Sequence, residues 1–139
     1  MRDELDESSL LVFFREARRA YMSVLNAGDS DFQTRVMDVR FRMNRVITLD
    51  DDLSVRIRCD VLGTEEFRFQ YVVLDRVTGE AVAQGSSAHG LVGLAGHCGP
   101  IPLRFRERVA ALEGRDVPFA PAVRSEVDHG GIVAKRSVG

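Results

Sequence analysis

An α+β fold is predicted from three observations. One long helix with an apolar stripe opens the chain. Three segments then alternate apolar and polar residues with period two, and the links between them are short and turn-rich. A helix with one buried stripe and strands with one buried face need each other, so the expected architecture is a helix packed on an antiparallel sheet.

The helix is read from about Ser9 to Leu25. Leu10, Phe13, Phe14, Ala17, Tyr21 and Val24 fall in one broad stripe at helical spacing. Arg15 and Arg19 lie opposite it, and Val12 and Glu16 sit between the faces. Asp3, Glu4, Asp6 and Glu7 precede the helix, where negative charge suits its positive end. Ser8 or Ser9 is the expected N-cap, and Asn26-Ala27-Gly28 is the stop signal.

The first strand segment places Met37, Val39, Phe41 and Met43 on one face and Asp38, Arg40, Arg42 and Asn44 on the other. The second sets Leu53, Val55, Ile57 and Cys59 against Ser54, Arg56, Arg58 and Asp60. The third sets Phe67, Phe69, Tyr71 and Val73 against Arg68, Gln70, Val72 and Leu74. These are read as three meandering strands. A fourth strand, from about Ala81 to Leu94, is rich in small residues, including Gly85, Ser86, Ser87, Ala88 and Gly90. Glycine weakens a strand unless something approaches its backbone closely, so a packed helix or a ligand is expected there. Pro102 and Gly114 bracket a short helix from Leu103 to Leu112. One domain over residues 1–114 is expected, with 115–139 as a mobile tail.

The chain has 139 residues, enough to bury roughly two-thirds of its unfolded surface. It carries 19 Lys+Arg against 21 Asp+Glu, which argues against a generally basic nucleic-acid binder. No apolar run reaches the ~20 residues of a membrane span. The acidic first residues do not read as a signal or transit peptide. The two cysteines, Cys59 and Cys98, lack metal-ligand spacing. No metal or cofactor is expected, and the reducing cytoplasm is the expected compartment.

Several stretches, in order, resemble the hotdog-fold thioesterases of the 4-hydroxybenzoyl-CoA thioesterase-like branch. Phe13-Phe14-Arg15-Glu16-Ala17-Arg18-Arg19-Ala20-Tyr21 looks like the central helix of that branch. Val39-Arg40-Phe41-Arg42 with Asp51-Asp52-Leu53-Ser54-Val55-Arg56 looks like its V-x-Y-x…D-x-L-x-V strand pair. Leu62-Gly63-Thr64-Glu65-Glu66-Phe67-Arg68-Phe69-Gln70-Tyr71 is similar to its L-G-x-x-S-F-x-F-x-Y hairpin. Gly85-Ser86-Ser87-Ala88-His89 resembles its G-x-T-x-H strand, and Pro100-Ile101-Pro102 its P-x-P before the last helix. The resemblance covers about residues 10–112.

It implies a long central helix wrapped by a curved antiparallel sheet, with a short C-terminal helix. It also implies a homodimer or dimer of dimers, and acyl-CoA or acyl carrier protein as the thioester substrate. A carboxylate activates water or attacks the thioester carbonyl, and amides at the helix N-terminus hold the oxyanion.

The branch's D-x-D-x-x-G-H-V-x-N-x-x-Y motif, which carries its catalytic Asp, is absent. The Asp position would fall before Met1. Either the chain as given lacks that segment, or the site is lost, or another carboxylate replaces it. Other hotdog thioesterases carry G-G-x-x-x-x-x-A-[DE], and Ser8-Ser9 followed by Glu16 has that spacing. Glu16 is therefore the leading candidate base, weighed against a plain ion pair with Arg15 or Arg19. Glu7, with Asp6 beside it, is the second candidate, weighed against a dipole partner.

Amides near Ser9 and Leu10 are the expected oxyanion donors. Ser87 and His89 are candidate substrate-orienting residues, weighed against small-residue packing and a satisfied strand histidine. His97 and Cys98 are adjacent, a poor arrangement for a nucleophile pair, and His129 is read as a solvated tail residue. Arg40, Arg42, Arg56, Arg58 and Arg68 form a basic stripe if their strands are neighbours, suited to CoA phosphates or an acidic carrier protein.

No G-x-S-x-G or G-x-x-x-x-G-K motif occurs. The expected function is hydrolysis of an acyl-CoA or acyl-carrier-protein thioester. The alternative is a non-catalytic hotdog protein that dimerises and binds an acyl group or carrier protein.

Overall fold

A computed structural model describes residues 4–27, 32–93, 96–121 and 123, and the backbone of Ile132–Ala134. The elements run α1 (Glu7–Leu25), β1 (Thr34–Met43), β2 (Leu53–Leu62), β3 (Glu66–Asp75), β4 (Ala81–Leu91), α2 (Leu103–Glu113) and β5 (Ile132–Ala134). The strands form one antiparallel sheet in the order β2-β3-β4-β1-β5. This is the α+β arrangement the sequence predicts, with one difference. β1 does not pair with β2. It crosses the sheet to pair with β4, while β2, β3 and β4 form the meander. Period-two patterning sets which face of a strand is buried and says nothing about which strand lies beside it.

α1 begins at Glu7, and its N-cap is Asp6 rather than Ser8 or Ser9. The Asp6 carboxylate accepts from the Ser9 amide at 3.2 Å. A carboxylate three residues upstream of that amide can cap as a hydroxyl does, and its charge also meets the positive end of the helix. Leu10, Phe14, Tyr21 and Leu25 are the buried residues of α1. Val24, expected in the stripe, is 57% exposed, and Leu25 takes the inward position because it follows Tyr21 by four residues.

Phe14 stacks on Tyr71 with ring centroids 4.3 Å apart. Tyr21 meets Phe69 edge-on at 4.8 Å. A methyl group on Gly85 would lie 2.6 Å from the Phe14 ring and 2.6 Å from the Arg40 carbonyl oxygen. That explains the small residue in β4: the central helix rests an aromatic ring directly on the strand backbone, as the glycine signal required.

β3 buries Phe67, Phe69, Tyr71 and Val73 as its alternation predicts. β1 starts earlier than Met37 and carries a bulge between Val36 and Asp38. The bulge shifts the alternation only upstream of Asp38; from Asp38 to Phe41 the register is unbroken and both faces are buried. Asp38 and Arg40, expected on a solvated face, are buried at 6% and 9% exposure and lie 3.6 Å apart as an ion pair.

The end of α2 latches onto the sheet. Glu113 accepts from the Tyr21 hydroxyl at 2.7 Å and from the Cys59 amide at 2.9 Å. Gly114 closes α2 at φ 72°, the left-handed position that favours glycine. Beyond it, Pro118 and Ala120 hydrogen-bond the backbone of Leu62 and Val123 is buried, so part of the expected tail packs against β2. β5 lies along β1 at Val39–Phe41.

Candidate functional site

Ser8, Leu11, Val12, Arg15 and Arg18 recur every three or four residues, so they share one face of α1, beside the buried stripe. With Val36 and Val39 of β1 they line a cleft of about 260 Å³. The walls are apolar, and two guanidinium groups and one hydroxyl supply its polar contacts. No carboxylate lines it among the described residues.

Arg18 connects the cleft to a buried polar chain. Its Nη1 donates to the Tyr71 hydroxyl at 3.2 Å. Tyr71 OH lies 2.5 Å from Ser87 Oγ, which lies 2.6 Å from His89 Nε2. Tyr71 is 1% exposed, and Ser87 and His89 are fully buried. Strand geometry makes this chain. Ser87 and His89 are two apart on β4 and point to the same face, and Phe69 and Phe67 stand opposite them on β3, one step from Tyr71.

Burial, and secondarily the Arg18 charge, pulls the His89 imidazole down to about 3. Burial likewise pushes the Tyr71 phenol up, against the lowering influence of Arg18. Both groups are therefore neutral near pH 7. The phenol is the strongest neutral donor, so we assign the protons as running from Tyr71 to Ser87 to His89 Nε2. His89 Nδ1 then keeps its proton with no hydrogen-bond partner among the described residues.

The two carboxylates expected as bases stand apart from this chain. Glu16 pairs with Arg19 at 3.6 Å and Arg15 at 3.8 Å, and its side chain is 54% exposed. Glu7 is exposed in the first turn of α1. Leu10 is a core residue at 1% exposure. The Ser9 and Leu10 amides, expected to hold an oxyanion, are already engaged by the Asp6 carboxylate and the Asp6 carbonyl, at 3.2 and 3.3 Å. The amides of Glu7 and Ser8 are the ones the helix leaves without intrahelical partners.

Ser87 and His89 do come together, as members of the buried chain. Arg18 and Tyr71 were not singled out from the sequence. The available signal was Tyr71 on the buried face of its strand, where a phenol needs a partner, beside a strand that alternates Gly85, Ser87 and His89.

The basic stripe does not form. Arg40 and Arg42 on β1 are separated from Arg56 and Arg58 on β2 by two strands. Arg68 is held by Asp60 at 2.8 Å and Arg40 by Asp38. His97 is exposed, while Cys98 packs its sulfur over the Gly90 backbone. His129 lies outside the described residues. Among the described residues, no three His, Cys, Asp or Glu side chains converge as metal ligands, and no helix is long and apolar enough to cross a membrane.

No family model matches the chain, and no curated protein matches its sequence. Solved structures do. A thioesterase from Thermus thermophilus, complexed with coenzyme A and zinc, is 26% identical. It aligns over 81% of this chain and 84% of its own, with a TM-score of 0.73. A thioesterase-superfamily protein from a Jannaschia species is 16% identical, over 83% of this chain and 76% of its own, at 0.69. A 1,4-dihydroxy-2-naphthoyl-CoA thioesterase from Synechocystis is 14% identical, over 79% and 85%, at 0.66.

Proposed function

Because the chain has the hotdog fold of thioesterase-superfamily proteins, we propose that it binds an acyl thioester in the α1–β1 cleft and hydrolyses it to a free acid and a thiol. The observation that carries this reading is the cleft itself. It is an apolar slot beside the N-terminal half of the central helix, with Arg15 and Arg18 among its lining residues. Leu11, Val12, Val36 and Val39 suit an acyl chain, and the exposed Arg15 guanidinium suits the phosphates of coenzyme A or of a carrier-protein prosthetic group.

In the reaction, a water oxygen adds to the thioester carbonyl while a carboxylate takes its proton. The carbonyl oxygen gains negative charge, which the positive end of α1 stabilises through the free Glu7 and Ser8 amides. The C–S bond then breaks and the sulfur leaves as thiolate, to be protonated. Glu16 is the leading base on its spacing from Ser8-Ser9, and Glu7 is the second. The working unit is a cytoplasmic homodimer, whose partner helix can bring a further side chain to an open cleft.

A second reading, thioester binding without turnover, is favoured by one specific feature. The Asp6 carboxylate already sits at the helix end, and the cleft has no carboxylate of its own among the described residues. One experiment separates the two. Thiol release is followed across a series of acyl-CoA thioesters, with calorimetric binding in parallel. Release above the buffer rate supports hydrolysis. Binding without release supports the second reading. Neither binding nor release would refute both.

A further inference from the structure

We infer that Arg18 makes the cleft selective for thioesters whose acyl group ends in a carboxylate. This rests on the thioester-binding reading above and specifies its substrate class.

The guanidinium of Arg18 is partly buried and lines the cleft. Its one hydrogen bond is to the neutral Tyr71 hydroxyl, and no carboxylate lies within 4 Å of it among the described residues. Three arginines of the sheet and its loops are paired with carboxylates, whereas the partly buried Arg35 and Arg106 bond the backbone carbonyls of Gly96 and Gly63. Arg40 faces Asp38, Arg45 faces Asp51 and Asp75, and Arg68 faces Asp60. Taking a cation out of water without a counter-charge is unfavourable, so such a group is normally paired. The nearest acid on the same helix, Glu16, is turned to Arg15 and Arg19.

What holds Arg18 supplies no charge either. Tyr71, Ser87 and His89 form a hydrogen-bonded line of uncharged groups locked in the core, with Phe14 stacked on the Tyr71 ring. The phenol therefore aims the guanidinium and leaves its positive charge uncompensated. The bond to the phenol uses one of its five N–H donors, and the others, on a residue that lines the cleft, belong to the planar fork that matches a carboxylate. The apolar walls accommodate a hydrocarbon spacer, and the missing counter-charge would come from the far end of the acyl group. Tyr71 is a positioning residue in this scheme, and Arg18 touches the substrate.

The test compares acyl-CoA pairs that differ only in the terminal group: succinyl-CoA with butyryl-CoA, and glutaryl-CoA with valeryl-CoA. Affinity is read as Kd where there is no turnover and as KM where there is. Coenzyme A alone is the control. Wild-type protein is expected to favour the carboxylate member of each pair by about tenfold or more, the scale of a charge-assisted hydrogen bond. Arg18→Gln is expected to abolish that preference while leaving the affinity for coenzyme A alone unchanged. Arg18→Lys is expected to keep part of it, and Tyr71→Phe to weaken it without removing it.

Equal affinity within each pair for the wild-type protein overturns the inference and leaves the thioester reading standing. So does a preference that survives Arg18→Gln. An equal loss of affinity for coenzyme A alone shows that the guanidinium reads a nucleotide phosphate instead, which also overturns it. If no thioester binds at all, the thioester reading itself has failed. The wild-type comparison decides the matter even where a substituted chain fails to fold.

Discussion

Glu16 and His89 show how the same kind of residue takes its role from its surroundings. Glu16 is solvated and shared between two arginines, so removing its charge disturbs little packing. If it is the base, Glu16→Gln is expected to lower turnover by roughly a hundredfold or more while the melting temperature barely changes. An undiminished rate removes it from the mechanism and turns attention to Glu7. His89 has the opposite setting. Its imidazole is fully buried among Phe67, Phe69 and Ser87, and its folded value of about 3 lies below the 6.5 of the unfolded chain. The unfolded state therefore binds more protons between those two values. Stability is full above about pH 6.5 and is lost progressively as pH falls toward 3, at up to about 1.4 kcal/mol per pH unit from this group. Denaturation midpoints measured from pH 7 to pH 4 are expected to fall, and His89→Gln is expected to flatten that slope.

Elements are held by a few contacts at their ends. At the start of α1, Asp6 closes the helix through the Ser9 amide. Asp6→Ala is expected to cost about 1 kcal/mol in chemical denaturation, the usual worth of a side-chain cap. At the far end of the fold, Glu113 joins α2, α1 and β2 through the Tyr21 hydroxyl and the Cys59 amide. Tyr21 is 7% exposed and Cys59 fully buried, so Glu113→Ala strands two buried donors at once. A loss of about 1–3 kcal/mol is expected, with hydrogen exchange quickening first in α2. Neither contact changes the cleft lining, so acyl-CoA affinity is expected to persist in Glu113→Ala below its unfolding transition.

Across the whole molecule, the sheet order puts β1 and the start of α1 together, and that juxtaposition makes the cleft. Among the described residues, β5 pairs with the outer edge of β1 at Val39–Phe41, and β1 runs from Thr34 to Met43. A sheet edge of that length with an exposed Val12 nearby is suited to a second copy of the chain. Light scattering is expected to report twice the chain mass of 15.5 kDa, and a monodisperse monomer would contradict the dimer. The helix, the four main strands and the buried face of β3 were legible from the sequence, whereas the burial of Asp38 and Arg40 on β1 was not. Apolar spacing follows directly from which side of an element meets the core, and Phe67, Phe69, Tyr71 and Val73 could face nowhere else. Gly85 announced a close approach, though not which ring would make it. Only the tertiary structure decided that β1 lies beside β4 and that Arg18, Tyr71, Ser87 and His89 join into one line. Those facts depend on distances between residues up to 71 positions apart in the chain, from Arg18 to His89, and local spacing carries no record of them.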